Sequence, residues 1–165
     1  MQLESVAILG HILPPCSVSR VTNHNDPTCL EEIAVKIKLT SIYVDDQEKA
    51  LRFYTDVLGF VKKADFTQGP FRWLTVASAE EPDGVELQLA LNDNPAAKAY
   101  QQAMFEQGQP AAMFHVDDVQ QEYERTKAGG ADFTMPPTKV TGSTIAMMDD
   151  TCGNLIQIAA FDRQQ

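Results

Sequence analysis

Residues 42–46 read IYVDD and residues 114–118 read FHVDD, an offset of 72. The segments after the two copies are alike. DDQEKALRFYTDVLGF (45–60) and DDVQQEYERTKAGG (117–130) both space apolar residues at helical intervals behind a pair of aspartates and end at glycine. Such a stretch reads as an amphipathic helix, with Ala50, Phe53, Tyr54, Val57 and Leu58 on one face of the first copy. Asp45 with Glu48, and Asp117 with Gln120, have the spacing of a capping box. Gly59 suits the left-handed position that ends a helix.

Working outward, KIKLTSIYV (36–44) alternates and is rich in β-branched residues, which predicts a strand leading into the first helix. Strands are predicted near 60–66, 71–78 and 85–91, with QGP and EEPDG as turns. NPAAKAYQQAMFEQGQP (94–110) predicts a linker helix over 94–108, capped by Asn94, begun by Pro95 and stopped by Gly108 and Pro110. The scheme then repeats: a strand at 111–116, a helix at 117–130, and strands near 132–135, 143–148 and 155–160. The closing strands match as well, GVELQLA (84–90) against GNLIQIA (153–159). The expected fold is α+β: two βαβββ repeats, 36–92 and 111–161, forming a curved mixed sheet around a cavity. Residues 1–34 show no regular period and are expected to form an extension outside a core domain spanning 35–165.

Composition narrows the function. The 165 residues carry a formal charge of −10, of which −7 falls beyond residue 34. An acidic chain lacks the footprint of nucleic-acid binding. No apolar run is long enough to span a bilayer, so no membrane partner is expected. Cys16, Cys29 and Cys152 form an odd set without CxxC spacing, which suits a reducing compartment, and the expected location is cytoplasmic. The apolar patch near the amino terminus carries Glu4 where a signal peptide has basic residues. Cys152 has no basic neighbour in DDTCGN and is expected to be inert.

IYVDDQEKALRFYTDVLGF, FHVDDVQQEYERTKAGGADF and DDTCGNLIQI together resemble the vicinal oxygen chelate superfamily, the group of glyoxalase I, bleomycin-resistance proteins and extradiol dioxygenases. The resemblance covers about residues 36 to 161. It implies that metal-dependent members hold a divalent ion with side chains from the first and last strands of each repeat. In this sequence those positions fall on Leu39, Gln88, Ala111 and Gln157. Leucine and alanine donate nothing and neutral amides are weak donors, so no metal and no other cofactor is expected. The resemblance also implies a homodimer with cavities at or near its interface.

Gln88 and Gln157 are therefore candidates to orient a polar, uncharged ligand group through amide hydrogen bonds, or else to bond each other or water and close the sheet. Strand alternation adds Ser41, Tyr43, Met113 and His115 to the same inward faces. His115, Tyr43 and Glu86 are the weak catalytic candidates. Phe71 and Trp73 share a face and offer an apolar wall, or pack in the core. The expected function is metal-free binding of a drug-like or metabolite ligand in the inter-repeat cavity. The alternative is a lyase, isomerase or oxygenase of the same superfamily with an atypical or metal-free site.

Overall fold

Asp46 places its carboxylate Oδ1 2.8 Å from the N–H of Glu48 and 3.0 Å from that of Lys49, and the first helix starts there. The cap is one residue later than the sequence reading, and so is its counterpart: Asp118 accepts from Gln120 and Gln121 at 2.9 and 3.1 Å. The reason is local. The capping residue is the last one with extended backbone, and its short side chain reaches only the N–H groups two and three residues ahead. Asp45 instead pairs with Lys49 across one turn, and Glu48 turns away to Arg72.

The computed structural model describes residues 35–162. The extension predicted at 1–34 lies outside the described residues. The elements are β1 (Leu39–Val44), α1 (Gln47–Arg52, continued by a π turn, Phe53–Val57), β2 (Val61–Gln68), β3 (Phe71–Ala77), β4 (Glu86–Leu91), α2 (Pro95–Glu106), β5 (Pro110–His115), α3 (Val119–Ala128), β6 (Asp132–Val140), β7 (Ser143–Asp149) and β8 (Leu155–Phe161). They form two mixed four-stranded sheets, ordered β1-β4-β3-β2 and β5-β8-β7-β6, with β1 parallel to β4 and β5 parallel to β8. The two βαβββ repeats are thus present, each with its own sheet. No helix among the described residues is long and apolar enough to cross a membrane.

The π turn has a plain origin. From the cap Asp46 to the left-handed Gly59 is one residue longer than from Asp118 to the left-handed Gly130. The closing hydrogen bonds record the surplus: Phe60 N–H reaches Tyr54 O, six residues back, whereas Ala131 N–H reaches Thr126 O, five back. One inserted residue has been absorbed as a widened turn, the usual form such an insertion takes.

Two strands differ from the sequence reading. β1 begins at Leu39 rather than Lys36. β6 runs to Val140 although Pro136 and Pro137 cannot donate to a ladder. It is an edge strand, and its pairing with β7 shifts between Phe133 and Met135 and between Met135 and Thr138, which takes the prolines out of register.

Alternation sorts each strand into two faces. Ile42 and Val44, Leu74 and Val76, and Leu87 and Leu89 are buried and pack with Ala50, Phe53 and Tyr54. Val119, Ala146, Met148, Ile156 and Ile158 continue the same core in the second repeat. Phe60 meets Phe114 edge-on at 5.2 Å across the repeats. On the other face of each sheet α2 reaches only the β1 and β5 edges.

A buried polar knot joins the repeats. Asp150, fully buried, accepts from the N–H groups of Cys152 (2.7 Å) and Asn154 (2.9 Å), the Asn154 amide (2.7 Å) and the Tyr54 hydroxyl (3.2 Å). The Asn154 amide also donates to Tyr43 O, and the Gln101 amide lies within reach of Tyr43 O, Cys152 O and Asn154 Oδ1. Gly153 is required here twice over: its φ is +94°, and a Cβ would stand 3.0 Å from the Gln101 amide nitrogen. Burial pushes the Cys152 thiol up to about 12, so it stays protonated and unreactive at neutral pH.

Candidate functional site

The helix-free face of the first sheet is built in rows set by strand register. Ser41, Gln88, Thr75 and Ala64 stand side by side across β1, β4, β3 and β2. Two residues toward one end, Tyr43 pairs with Ala90 and Trp73 with Phe66. Two residues toward the other, Leu39 pairs with Glu86, and Glu86 with Ala77. Each sequence-predicted residue of the first repeat therefore falls on this one face.

The contacts within it are specific. The Ser41 hydroxyl donates to Gln88 Oε1 at 2.8 Å. Thr75, fully buried, donates to Glu86 Oε2 at 2.6 Å and accepts from Ala64 N–H at 3.1 Å. The Trp73 and Phe66 rings lie nearly parallel, 21° apart with centroids at 6.4 Å. Their large apolar surface faces solvent: Phe66 is 55% exposed, Phe71 76% and Trp73 36%. Apolar side chains grouped on an uncovered sheet face mark an interaction surface rather than a core.

The second sheet repeats the plan with other chemistry. Met113, Gln157, Met147 and Met135 form the row that matches Ser41–Gln88. The Gln157 amide nitrogen lies 3.5 Å from the Met113 sulfur. One position along, His115 pairs with Ala159, and its ring stacks on Phe161 at 5.8 Å. Gln88 and Gln157 do not meet: each is tied to the first strand of its own repeat, on a different sheet.

Two hollows border these faces. A cleft of about 510 Å³ between the repeats is lined by Phe60, Glu80, Phe114, His115, Asp117 and Arg125, among others. A smaller one, about 110 Å³, is bordered by Ser41, Tyr43, Tyr100, Met104 and Ala111. Neither is lined by Gln88 or Gln157.

Sequence reasoning missed Phe66, Thr75, Met135 and Met147. Phe66 had a signal. Gln68 pairs with Phe71 across the two-residue turn Gly69–Pro70, so counting outward from QGP puts Phe66 beside Trp73. Thr75 and the two methionines depend on pairings between non-adjacent elements, which no local count supplies.

The sequence profile of the Glyoxalase/Bleomycin resistance protein/Dioxygenase superfamily matches residues 36–158. The chain belongs to this superfamily. It is 56% identical over 124 residues to the uncharacterized protein YurT of Bacillus subtilis (strain 168), covering 75% of this chain and 98% of YurT. Among solved structures, UcmS2 superposes with a TM-score of 0.68 at 30% identity, over 77% of this chain and 98% of UcmS2. TnmS3, an antibiotic binding protein from Streptomyces sp. CB03234, gives 0.64 at 26%, over 79% of this chain and 99% of its own.

Leu39, Gln88, Ala111 and Gln157, the positions that the resemblance assigns to a divalent ion, do not together make a donor set for one. Leu39 and Ala111 carry no donor atom. The Gln88 carbonyl oxygen already accepts from Ser41, and Gln157 turns its amide nitrogen toward a thioether. A hard or borderline ion would give up water for no negative charge at these four positions. Among the described residues, no group of three or more His, Cys, Asp or Glu side chains stands close enough to hold an ion.

Proposed function

We propose that the protein binds a small organic molecule, without a metal ion, against the helix-free sheet faces that carry Gln88 and Gln157. One observation carries the reading: Gln88, held by the Ser41 hydroxyl, stands on a sheet face that also exposes Phe66, Phe71 and Trp73. Such a surface orients a ligand by hydrogen bonds and apolar contact, the composition of small-molecule sites generally. TnmS3 is described as antibiotic binding, and its likeness to this chain supports the same class of role here. Tyr43, Ser41, Trp73 and Phe71 supply the first face, Met113 and His115 the second.

A homodimer belongs to the proposal. The faces of a single chain leave Phe71 and Phe66 largely in water, and a second copy covering them encloses a ligand that one chain leaves open. Native mass spectrometry on protein purified without chelator tests both parts. The expected spectrum is a dimer without a stoichiometric metal adduct. A stoichiometric zinc, nickel, iron or manganese adduct would sink the metal-free reading, and a monomer would remove the dimer.

A further inference from the structure

The helix-free face of the first sheet carries a single carboxylate, Glu86, and its geometry is fixed from below. The Ala64 N–H donates to the buried Thr75 hydroxyl, and that hydroxyl donates to Glu86 Oε2. The other carboxylate oxygen has no protein donor within hydrogen-bond reach among the described residues. Among the described residues no cation pairs with it: Lys38 and Lys63 contact Asp83, Lys62 and Arg72 contact Asp65, Lys49 pairs with Asp45, and Lys36 and Arg52 form no ion pair. An oriented carboxylate without a cation partner among the described residues, on the same sheet face as exposed aromatic side chains, is costly to cover with a neutral apolar molecule.

The rows give the spacing. Tyr43–Ala90 on β1 and β4 and Trp73–Phe66 on β3 and β2 form the aromatic end; the β3–β4 ladder stops at Thr75–Gln88, and beyond it the Gln47 amide donates to both Arg72 O and Leu89 O. The Ser41–Gln88–Thr75 row lies about 6–7 Å further along the strands, and the Leu39–Glu86 row the same distance again. From aromatic row to carboxylate is thus about 13 Å.

We infer that this face recognises an elongated molecule with a planar aromatic group at one end and a positive charge at the other, and that Glu86 selects the charge. The inference rests on the binding function proposed above. The aromatic group lies on Trp73, Phe66 and Tyr43, a polar middle meets Gln88, and an ammonium or amidinium meets Glu86. The chain's acidic balance raises the local concentration of such cations.

The chain has one tryptophan, Trp73, so the emission comes from a single site on this face. The test uses three probes of one skeleton: anthracene carrying a six-carbon chain that ends in an amine, an alcohol or a carboxylate. Anthracene accepts energy from tryptophan over distances longer than this face, so quenching of Trp73 measures binding and the Glu86→Gln variant locates the charged end. The amine is expected to bind about tenfold more tightly than the alcohol, the carboxylate more weakly still, as one charge-assisted contact dictates. Glu86→Gln keeps an oxygen for the Thr75 hydroxyl and should bring amine and alcohol within about twofold of each other. If all three probes quench Trp73 with equal affinity in the wild type, charge selection by Glu86 is overturned while the binding function stands. If none quenches Trp73 and calorimetry shows no heat, the binding function itself fails and this inference with it.

Discussion

Replacing Asp150 with alanine should lower the unfolding free energy by about 3–4 kcal/mol, read as a shift of the urea midpoint at unchanged m-value. The size follows from what the carboxylate satisfies. Four donors point at it, from Cys152, Asn154 twice, and Tyr54, and all are buried. No buried side-chain nitrogen or oxygen among the described residues lacks a partner, so the wild type starts with no such deficit. Alanine leaves the donors unmade in a place too closed for full rehydration, and each unmade bond costs more than a made one gains. The loss spreads, because Asn154 also holds Tyr43 O, and the loop 149–154 is what ties the second repeat to β1 and α2. A midpoint within experimental error of wild type would show that the knot is ornamental and that the Phe60–Phe114 contact and the shared core suffice.

The same residue gives a signed pH effect. Burial pushes the Asp150 carboxyl above its ordinary value of 3.8, and its hydrogen bonds only partly pull it back. The native state then holds this proton more tightly than the unfolded chain. Its contribution to stability is full below 3.8 and falls as pH rises through the native value. Asp65 runs the other way. Hydrogen bonds from Arg72 and Lys62 hold its carboxyl far below the usual range, so its contribution is present above the unfolded value and lost on acidification. Asp150→Asn should therefore flatten the decline on the rising-pH side while leaving the acid loss intact. Asp65→Asn should do the reverse.

The repeats are legible in the sequence because helix punctuation and strand alternation are local. The caps Asp46 and Asp118 lie one residue beyond the expected positions because two aspartates stand in tandem, and only backbone conformation decides which one caps. β6 runs past the expected 132–135 and through Pro136 and Pro137, because an edge strand with register shifts tolerates what an inner strand rejects. At the candidate site, alternation alone puts Ser41, Tyr43, Glu86 and Gln88 on one face. Which pairs touch is beyond it, since Ser41 with Gln88 and Thr75 with Glu86 are joined across 47 and 11 residues by sheet register. Nor can pattern say that Gln88 and Gln157 stand on separate sheets, because near-identical strands look the same whether they converge or not.

Trp73 and Leu74 are neighbours on opposite faces, and exchanging each for alanine separates binding from folding. Leu74 is fully buried beneath α1 and the π turn, so Leu74→Ala should cost about 2–5 kcal/mol in stability. Trp73 touches Phe66 on the helix-free face and is 36% exposed, so Trp73→Ala should cost much less than its neighbour in folding. Its effect belongs to the ligand. Losing a large aromatic contact removes about 1.5–3 kcal/mol of apolar burial, a drop of about 10- to 100-fold in affinity. Calorimetric titration with the anthryl amine measures it without relying on the deleted fluorophore. Leu74→Ala, where it still folds, should bind normally. The contrast is what makes the pair informative: a Trp73 variant that unfolds as readily as the Leu74 one, with unchanged affinity when folded, would make Trp73 a packing residue and return the first sheet's face to the core of some larger assembly.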